Sequence, residues 1–429
     1  MKVNLFKKIC IYLLITLSLY TFLIPSVKAT EQKNNLEVSS PVALLMDMKT
    51  GKILYEKDID KKMYPASLTK VMTAIIVLEN CNLNDIATVS HDAVMSLSSG
   101  YVTANLQEGE ELTVEQLLYV LMVGSSNDAA IVLAEHVSGS VEEFAQLMNQ
   151  KAKEIGCTST NFVNPNGAHD SDHYSTARDL ALIAKYAMNN DVFRTMVSTT
   201  SYKLPKTNKY DKEDRLFTTT NSLLILNNNS REDNYYYKYA TGIKTGFTTP
   251  AGNCLIASAN KDNLELLTVV LGAGDTKNGL SARYIDTINM FEYGYSNYTL
   301  KEIVKSGGVL QTVNVKKATR DTKKLDAIVQ NDISALVKIE NEDDTIMPEV
   351  HINDNLKAPI KKGTVIGSVT YTIEDVLYTE DLVANNDVKK SRLFIKILLI
   401  LIILTIIRFY LKTNSKKRKT NKLLKRAGK

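Results

Sequence analysis

Apolar positions recur along this chain with two different periods, and the change between them falls near residue 300. Before that point short strand-like runs alternate with helical spacing. Val42 to Met46 and Lys52 to Tyr55 flank Asp47-Met-Lys-Thr-Gly51, which predicts a hairpin. Val71, Met72, Ile75, Ile76 and Leu78 then recur at helical spacing after Pro65. Leu117, Leu118, Leu121 and Met122 do the same after Thr113 and Gln116, a capping-box pair. Further helices are expected from about Asp128 to His136 and from Ser175 through Met188. Leu255 to Ala259 and Leu264 to Leu271 read as strands around the turn Asn260-Lys-Asp-Asn263. Tyr235 to Tyr239 reads as a strand of alternately buried and exposed tyrosines. The whole predicts a sheet flanked by helices, an α/β (α+β) domain with a mostly helical insertion.

From about Leu300 to Val383 the pattern consists of short strands without helical spacing, at Thr312 to Val315, Ala335 to Ile339, Thr364 to Ile366 and Val369 to Ile373. That predicts a small β-sandwich. Two apolar segments lie outside these patterns. The first, Ile9 to Ile24, follows Lys2, Lys7 and Lys8 and precedes Val27-Lys28-Ala29, the layout of a signal peptide. The second, Leu393 to Leu411, contains only Lys396 and Arg408 as charges; as a helix it would reach about 28 Å, enough to cross a hydrocarbon core. The residues beyond it carry nine Lys and Arg and no Asp or Glu, which marks that end as cytoplasmic. The expected order is a signal peptide (1–29), an α/β domain (30–299), a β-sandwich (300–383), a polar linker (384–392), a transmembrane helix (393–411) and a basic tail (412–429).

Charge changes meaning once it is divided along this order. The net +5 of the chain conceals a segment from Thr30 to Arg392 with 37 basic against 47 acidic residues, a net of −10. Nucleic acid is disfavoured as a partner, and the basic tail reads as a contact with anionic lipid. Cys81, Cys157 and Cys254 have no paired spacing, and the five histidines show no metal-ligand spacing, so neither a disulfide framework nor a metal or other cofactor is expected.

Three short motifs carry the candidate chemistry: Ser67-Leu-Thr-Lys70, Ser125-Ser-Asn127 and Lys244-Thr-Gly246. Serine is a weak nucleophile and needs a neighbouring base. Lys70 lies one helical turn after Ser67 on the same face, and burial beside a second cation such as Lys244 would hold it neutral part of the time. Ser67 is therefore the candidate nucleophile and Lys70 its general base. Ser125 and Asn127 interrupt two helical patterns, where Ser125 suits proton relay to a leaving amine and Asn127 suits a substrate amide. Lys244 and Thr245 offer a cation and a hydroxyl to a carboxylate, and Gly246 lets a substrate backbone approach. Each motif alone is common; their order in an exported chain is not.

With these motifs the chain resembles the low-molecular-mass penicillin-binding proteins, specifically the serine-type D-alanyl-D-alanine carboxypeptidases. The likeness extends over roughly residues 40 to 385 and includes Met63-Tyr-Pro-Ala-Ser-Leu-Thr-Lys70, His173-Tyr-Ser-Thr-Ala-Arg-Asp179 and Gly242-Ile-Lys-Thr-Gly-Phe-Thr248. The resemblance implies a transpeptidase-like catalytic domain followed by a β-rich domain. It also implies removal of the terminal D-alanine from peptidoglycan stem peptides, with β-lactams as acylating inhibitors. The backbone N–H groups of Ser67 and Phe247 would form the oxyanion hole, and Arg283 would help hold the substrate carboxylate. Phe247 stands where some members have histidine, and the C-terminal anchor is longer and more apolar than the amphipathic helix of many members. A D,D-endopeptidase and a β-lactam-sensing protein without turnover use the same residues. A class A β-lactamase is disfavoured, because no glutamate suited to positioning a deacylating water stands between Asn161 and Asp172.

Overall fold

The computed structural model describes residues 36–212, 215–226 and 235–427; the expected signal peptide lies outside them. The first strands, β1 (Val42–Asp47) and β2 (Ile53–Lys57), form the predicted hairpin. Its turn closes because the Asp47 carboxylate accepts from the Thr50 N–H at 2.8 Å while Gly51 takes φ +80°. A 3₁₀ turn, Ala66–Thr69, then leads directly into α1 (Lys70–Asn80). The helical insertion follows: β3 (Ile86–Thr88), α2 (His91–Met95), β4 (Glu111–Thr113), α3 (Val114–Met122), α4 (Asn127–Ser138), α5 (Val141–Ile155), α6 (Ala177–Ala187) and α7 (Asp191–Ser198). Thr113 and Gln116 make the reciprocal capping box at the start of α3.

After the small hairpin β5 (Ser201–Leu204) and β6 (Arg215–Thr218), the chain returns to the main sheet with β7 (Ala240–Thr248), β8 (Gly252–Lys261) and β9 (Leu264–Ala273). The strand order is β2-β1-β9-β8-β7, antiparallel throughout. Helix α8 (Ala282–Asn297) closes this domain. Both faces of the sheet are covered, so β1 is apolar at nearly every position. Val42, Leu44 and Met46 join the core under the helical insertion, whereas Leu45 turns to the opposite face, where it approaches Gly294 of α8.

Residues 235–239 are not a strand. Tyr235 stacks on Tyr284 of α8, Tyr237 stacks on Phe291 and its hydroxyl donates to Glu292 at 2.8 Å, and the chain turns before β7 begins. The tyrosines alternate in burial because they clamp α8, not because they pair with a neighbouring strand.

The second domain faces a two-stranded sheet, β10 (Tyr298–Val304) with β13 (Ile333–Lys338), against a five-stranded one. The larger sheet contains β11 (Val309–Asn314), β12 (Lys324–Val329), β14 (Glu349–Ile352), β15 (Val365–Ile373) and β16 (Val376–Ala384), in the order β11-β12-β16-β15-β14. The two expected strands around Gly367 are one strand with a bulge, and a Cβ at Gly367 would lie 2.1 Å from the His351 carbonyl oxygen. At its tip, Glu374 receives the Lys52 ammonium at 2.5 Å, tying the β15–β16 turn to the hairpin of the first domain.

Residues 384–392 do not form a free linker. Val388 is buried and bridges to Ile360, Lys390 bridges to Ala318, and the Ser391 N–H donates to the Lys317 carbonyl at 2.7 Å. The final helix, α9 (Leu393–Ala427), is long and apolar enough to cross a membrane, and it continues through the basic tail that sequence had treated separately. Lys, Arg and Leu are good helix formers, and no Gly or Pro intervenes before Gly428.

A methyl group at Gly294 would lie 2.5 Å from Leu266 Cδ1. Gly294→Ala is expected to destabilise the first domain by about 1–3 kcal/mol, through overpacking between α8 and the sheet. Thermal unfolding would read this as a lowered midpoint, and an unchanged midpoint would contradict the packing described.

Candidate active site

The local chain around Ser67 is set by a close crossing. Ala66 adopts φ +48°, and Gly167 lies against it so tightly that a Cβ there would come within 1.9 Å of the Ala66 carbonyl oxygen. This places Ser67 in a 3₁₀ turn ahead of α1, not in the first α-helical turn expected from sequence. Lys70 opens α1 three residues on and is fully buried, its Nζ 3.0 Å from Ser67 Oγ. The same nitrogen lies 2.9 Å from Asn127 Oδ1 and 2.7 Å from the Asn166 carbonyl oxygen.

That coordination bears on the base. Burial, with the charge of Lys244 as a secondary cause, pushes the Lys70 ammonium well below its ordinary pKa; Asp128 opposes this weakly. A neutral amine has two N–H bonds and one lone pair. The two carbonyl oxygens can only accept, so they take the two N–H bonds and leave the lone pair facing the Ser67 hydroxyl. The charged form instead donates to all three oxygens.

Asn127 begins α4, just after Ser125 turns the chain at φ +57°. Its amide is already engaged: Oδ1 accepts from Lys70, and Nδ2 donates to the Val102 carbonyl at 2.8 Å. Asn127 thereby orients Lys70 and the 99–106 loop, while the second Nδ2 hydrogen is left for the cleft it lines, where the sequence places a substrate amide. Asp128 secures the same loop, its carboxylate accepting from the N–H groups of Ala104 at 2.9 Å and Leu106 at 3.2 Å.

Lys244, on the edge strand β7, is also buried, and its Nζ donates to Ser125 Oγ at 2.8 Å and to the Thr245 carbonyl at 3.1 Å. The structure adds Ser125 as its partner to the carboxylate expected from the sequence. Burial first, and then the positive charge of Arg283, lower its pKa to about 7. The Thr245 hydroxyl bonds that of Thr220. Gly246 allows β7 to pass beside Ser67, since a Cβ there would lie 3.2 Å from the Ser67 nitrogen. Phe247 is 61% exposed at the rim. Arg283, in the first turn of α8, reaches the Gly246 carbonyl with Nη1 at 3.4 Å, packs on the Tyr284 ring, and has no partner for its buried Nε among the described residues.

A cleft of about 580 Å³ gathers Ser67, Ser125, Asn127, Thr245, Gly246, Phe247 and Arg283 along its walls, with Lys70 and Lys244 behind the two serines. Sequence reading did not find Thr220, His169 or the Ser99–Val102 stretch, which line the same cleft. Nor did it find the backbone carbonyls of Asn166 and Val102, since every residue carries one. His173 was also unassigned: burial lowers its pKa to about 4, Nδ1 accepts from the Val163 N–H at 3.1 Å, and Nε2 donates to Thr69 Oγ1 at 2.8 Å. It fastens the 163–167 loop to the turn that carries Ser67. In that loop the group presented to Lys70 is a carbonyl, whereas Asp170 and Asp172 are exposed.

The chain matches the D-alanyl-D-alanine carboxypeptidase family over residues 27–275 and the penicillin-binding protein 5 C-terminal domain over residues 298–390. It is 33% identical over 394 residues to D-alanyl-D-alanine carboxypeptidase DacF of Bacillus subtilis, covering 90% of this chain and 95% of that protein. DacA of Haemophilus influenzae is 29% identical, covering 84% of this chain and 88% of that one. Among solved structures, penicillin-binding protein 5 from Haemophilus influenzae superposes with a TM-score of 0.63 at 27% identity, covering 82% of this chain and 98% of that chain. D-alanyl-D-alanine carboxypeptidase DacD from Francisella tularensis gives 0.59 at 27% identity, with 83% and 95% covered.

Asn127→Ala removes one of the two carbonyls that orient the Lys70 amine. Acylation of Ser67 by a fluorescent penicillin is expected to slow by about a hundredfold or more, with the thermal midpoint lowered by much less than unfolding requires. Acylation at the wild-type rate would exclude this orienting role.

Proposed function

The chain belongs to the D-alanyl-D-alanine carboxypeptidase family, and we propose that its serine-type carboxypeptidase reaction is carried by Ser67, Lys70, Ser125 and Lys244, with Arg283 as the carboxylate anchor. The observation that carries this reading is the buried Lys70 amine, held 3.0 Å from Ser67 Oγ by two carbonyl acceptors. Ser67 Oγ attacks the carbonyl carbon of the peptide bond before the terminal D-alanine of a stem peptide while its proton passes to Lys70. The N–H groups of Ser67 and Phe247 receive the oxyanion. As the C–N bond breaks, Ser125 gives its proton to the leaving amine and is resupplied by the Lys244 ammonium, 2.8 Å away. Acylation leaves Lys70 protonated and Lys244 short of one proton, so exchange through the cleft returns a proton from Lys70 to Lys244. Water then attacks the acyl-enzyme carbonyl and gives its proton to the neutral Lys70, which passes it to Ser67 Oγ as the ester bond breaks and the acid product leaves.

Substrate binding bears on this proton path. The Arg283 charge holds the Lys244 pKa down. A substrate carboxylate beside Arg283 offsets that charge, so Lys244 keeps its proton more readily when a leaving amine needs one. The Phe247 ring forms an apolar rim where the acyl-D-alanine portion lies.

The protein is associated with a membrane through α9. We infer a single crossing, with the basic tail in the cytoplasm and both folded domains outside, where stem peptides and β-lactams are met; the positive-inside distribution supports this orientation.

Incubation of the protein with a stem pentapeptide should release D-alanine, and Ser67→Ala should abolish both that release and labelling by penicillin. Penicillin labelling without D-alanine release would overturn the carboxypeptidase reaction. The pH dependence has a definite sign. The base must be neutral, so the acylation rate falls as pH drops and Lys70 takes up a proton. Lys244→Met removes a nearby cation that lowers the Lys70 pKa, and the acid limb of the rate profile should move to higher pH. A limb that stays in place or moves to lower pH would refute the electrostatic coupling.

A further inference from the structure

A second cleft, of about 1160 Å³, opens where the β domain meets the start of α9. Six basic residues line it: Arg320, Lys323, Lys389, Lys390, Arg392 and Lys396. All six are exposed, and among the described residues none forms an ion pair with a carboxylate. The neighbouring acids are few. The Asp321 carboxyl is held below the usual range by its hydrogen bond with Thr319 and, to a lesser degree, by the field of Lys389, and Asp387 accepts from the Lys362 N–H at 2.8 Å. A strong positive excess therefore stands at the mouth of the cleft.

The floor is built, not draped. The Thr319 N–H donates to the Lys389 carbonyl at 2.9 Å, the Lys389 N–H donates to Thr322 Oγ1 at 3.0 Å, and Lys390 bridges to Ala318. Leu393 and Ile395 add an apolar wall, contiguous with the apolar face of the helix. The uninterrupted apolar run of α9 begins one residue past Lys396. With α9 crossing a bilayer, the cleft lies at the depth of the lipid phosphates, its apolar wall toward the acyl chains and its basic rim toward the headgroups.

Topology does not account for these charges. The positive-inside rule explains the tail at the other end of α9, but basic residues on the translocated side work against it. Their retention in a segment whose acidic residues otherwise outnumber its basic ones calls for a ligand. The geometry points to a binding site for the phosphate headgroup of an anionic glycerophospholipid in the extracytoplasmic leaflet, which seats the base of the β domain on the membrane surface. This rests on the membrane placement proposed above.

The test uses the full-length protein in mild detergent, with native mass spectrometry reading the lipids it retains from an equimolar mixture of phosphatidylglycerol and phosphatidylcholine. Wild type should retain phosphatidylglycerol preferentially. The variant Arg320→Gln/Lys323→Gln/Lys389→Gln should bind it at least about tenfold more weakly, since each basic side chain near an anionic surface contributes roughly a factor of five. Penicillin labelling of the variant at the wild-type level shows that it is folded. Equal retention of both lipids by wild type, or undiminished preference in the variant, would overturn the site. Complete displacement of phosphatidylglycerol by millimolar inorganic phosphate would assign the cleft to a free anion and overturn the lipid. Flotation of both proteins with phosphatidylcholine vesicles tests anchorage separately: wild type failing to float refutes the membrane placement and this site with it, whereas flotation without lipid preference refutes the site alone.

Discussion

Two lysines buried, among the described residues, without a carboxylate at contact distance are the constraint around which the catalytic domain is arranged. A charged ammonium in such a place is costly, and the usual outcome is loss of the proton. In the proposed mechanism that outcome is useful at Lys70, because a neutral amine beside Ser67 is a base. The remainder of the site keeps the two amines in place without neutralising them through ion pairs. Lys70 is met by one side-chain and one backbone carbonyl, and Lys244 by a serine hydroxyl and its neighbour's carbonyl. Asp128, the acid whose charge acts on Lys70, has its carboxylate taken up by backbone N–H groups of the 104–106 loop. Were that carboxylate free to turn toward Lys70, it would raise the amine's pKa and remove the base.

The fold explains why so many separate segments converge there. Ser67 and Lys70 come from a turn and a helix start, Asn127 and Ser125 from a break between two helices, Asn166 from a loop, and Lys244 from an edge strand. The central sheet is covered on both faces, which makes β7 a fixed edge, and Gly246 lets that edge pass within van der Waals distance of the nucleophile's backbone. The opposite end of the sheet carries the hairpin whose Lys52 meets Glu374 in the β domain. Position and orientation of the cleft are thereby referred to the β domain, and through the paired segment 384–391 to the start of α9.

What the sequence disclosed follows from which interactions are side-chain-specific. The Ser67–Lys70 spacing, the break at Ser125 and the Lys244 strand were legible, because each requires particular residue types. Their partners were less so. Lys244 and Ser125 meet across 119 residues, a pairing that no local period encodes. The Asn166 and Val102 carbonyls have no sequence signature. The 3₁₀ turn at Ser67 arises from the crossing with Gly167, a tertiary contact, whereas local spacing alone favours an α-helix from the start. In the β domain Gly367 looked like a strand end, because glycine marks bulges and breaks equally. The tyrosines at 235–239 alternate in burial for a reason unrelated to strand pairing.

The three basic side chains at the cleft form a graded series, and the grading has chemical content. Arg283 lines the cleft; its field lowers Lys244, and the field of Lys244 in turn lowers Lys70. Burial is the larger cause for both lysines, so the base persists in the empty site. The smaller electrostatic contribution is the part a ligand can change. An anionic substrate terminus offsets the outermost charge, and its effect on proton affinity is greater at Lys244 than at Lys70, which lies one step further in. In the proposed mechanism, binding thus favours a proton on the amine that serves the leaving group while leaving the base beside Ser67 largely as burial set it. A neutral ligand reaching the same serine would lack that bias, and discrimination for a terminal carboxylate then arises in proton transfer as well as in binding.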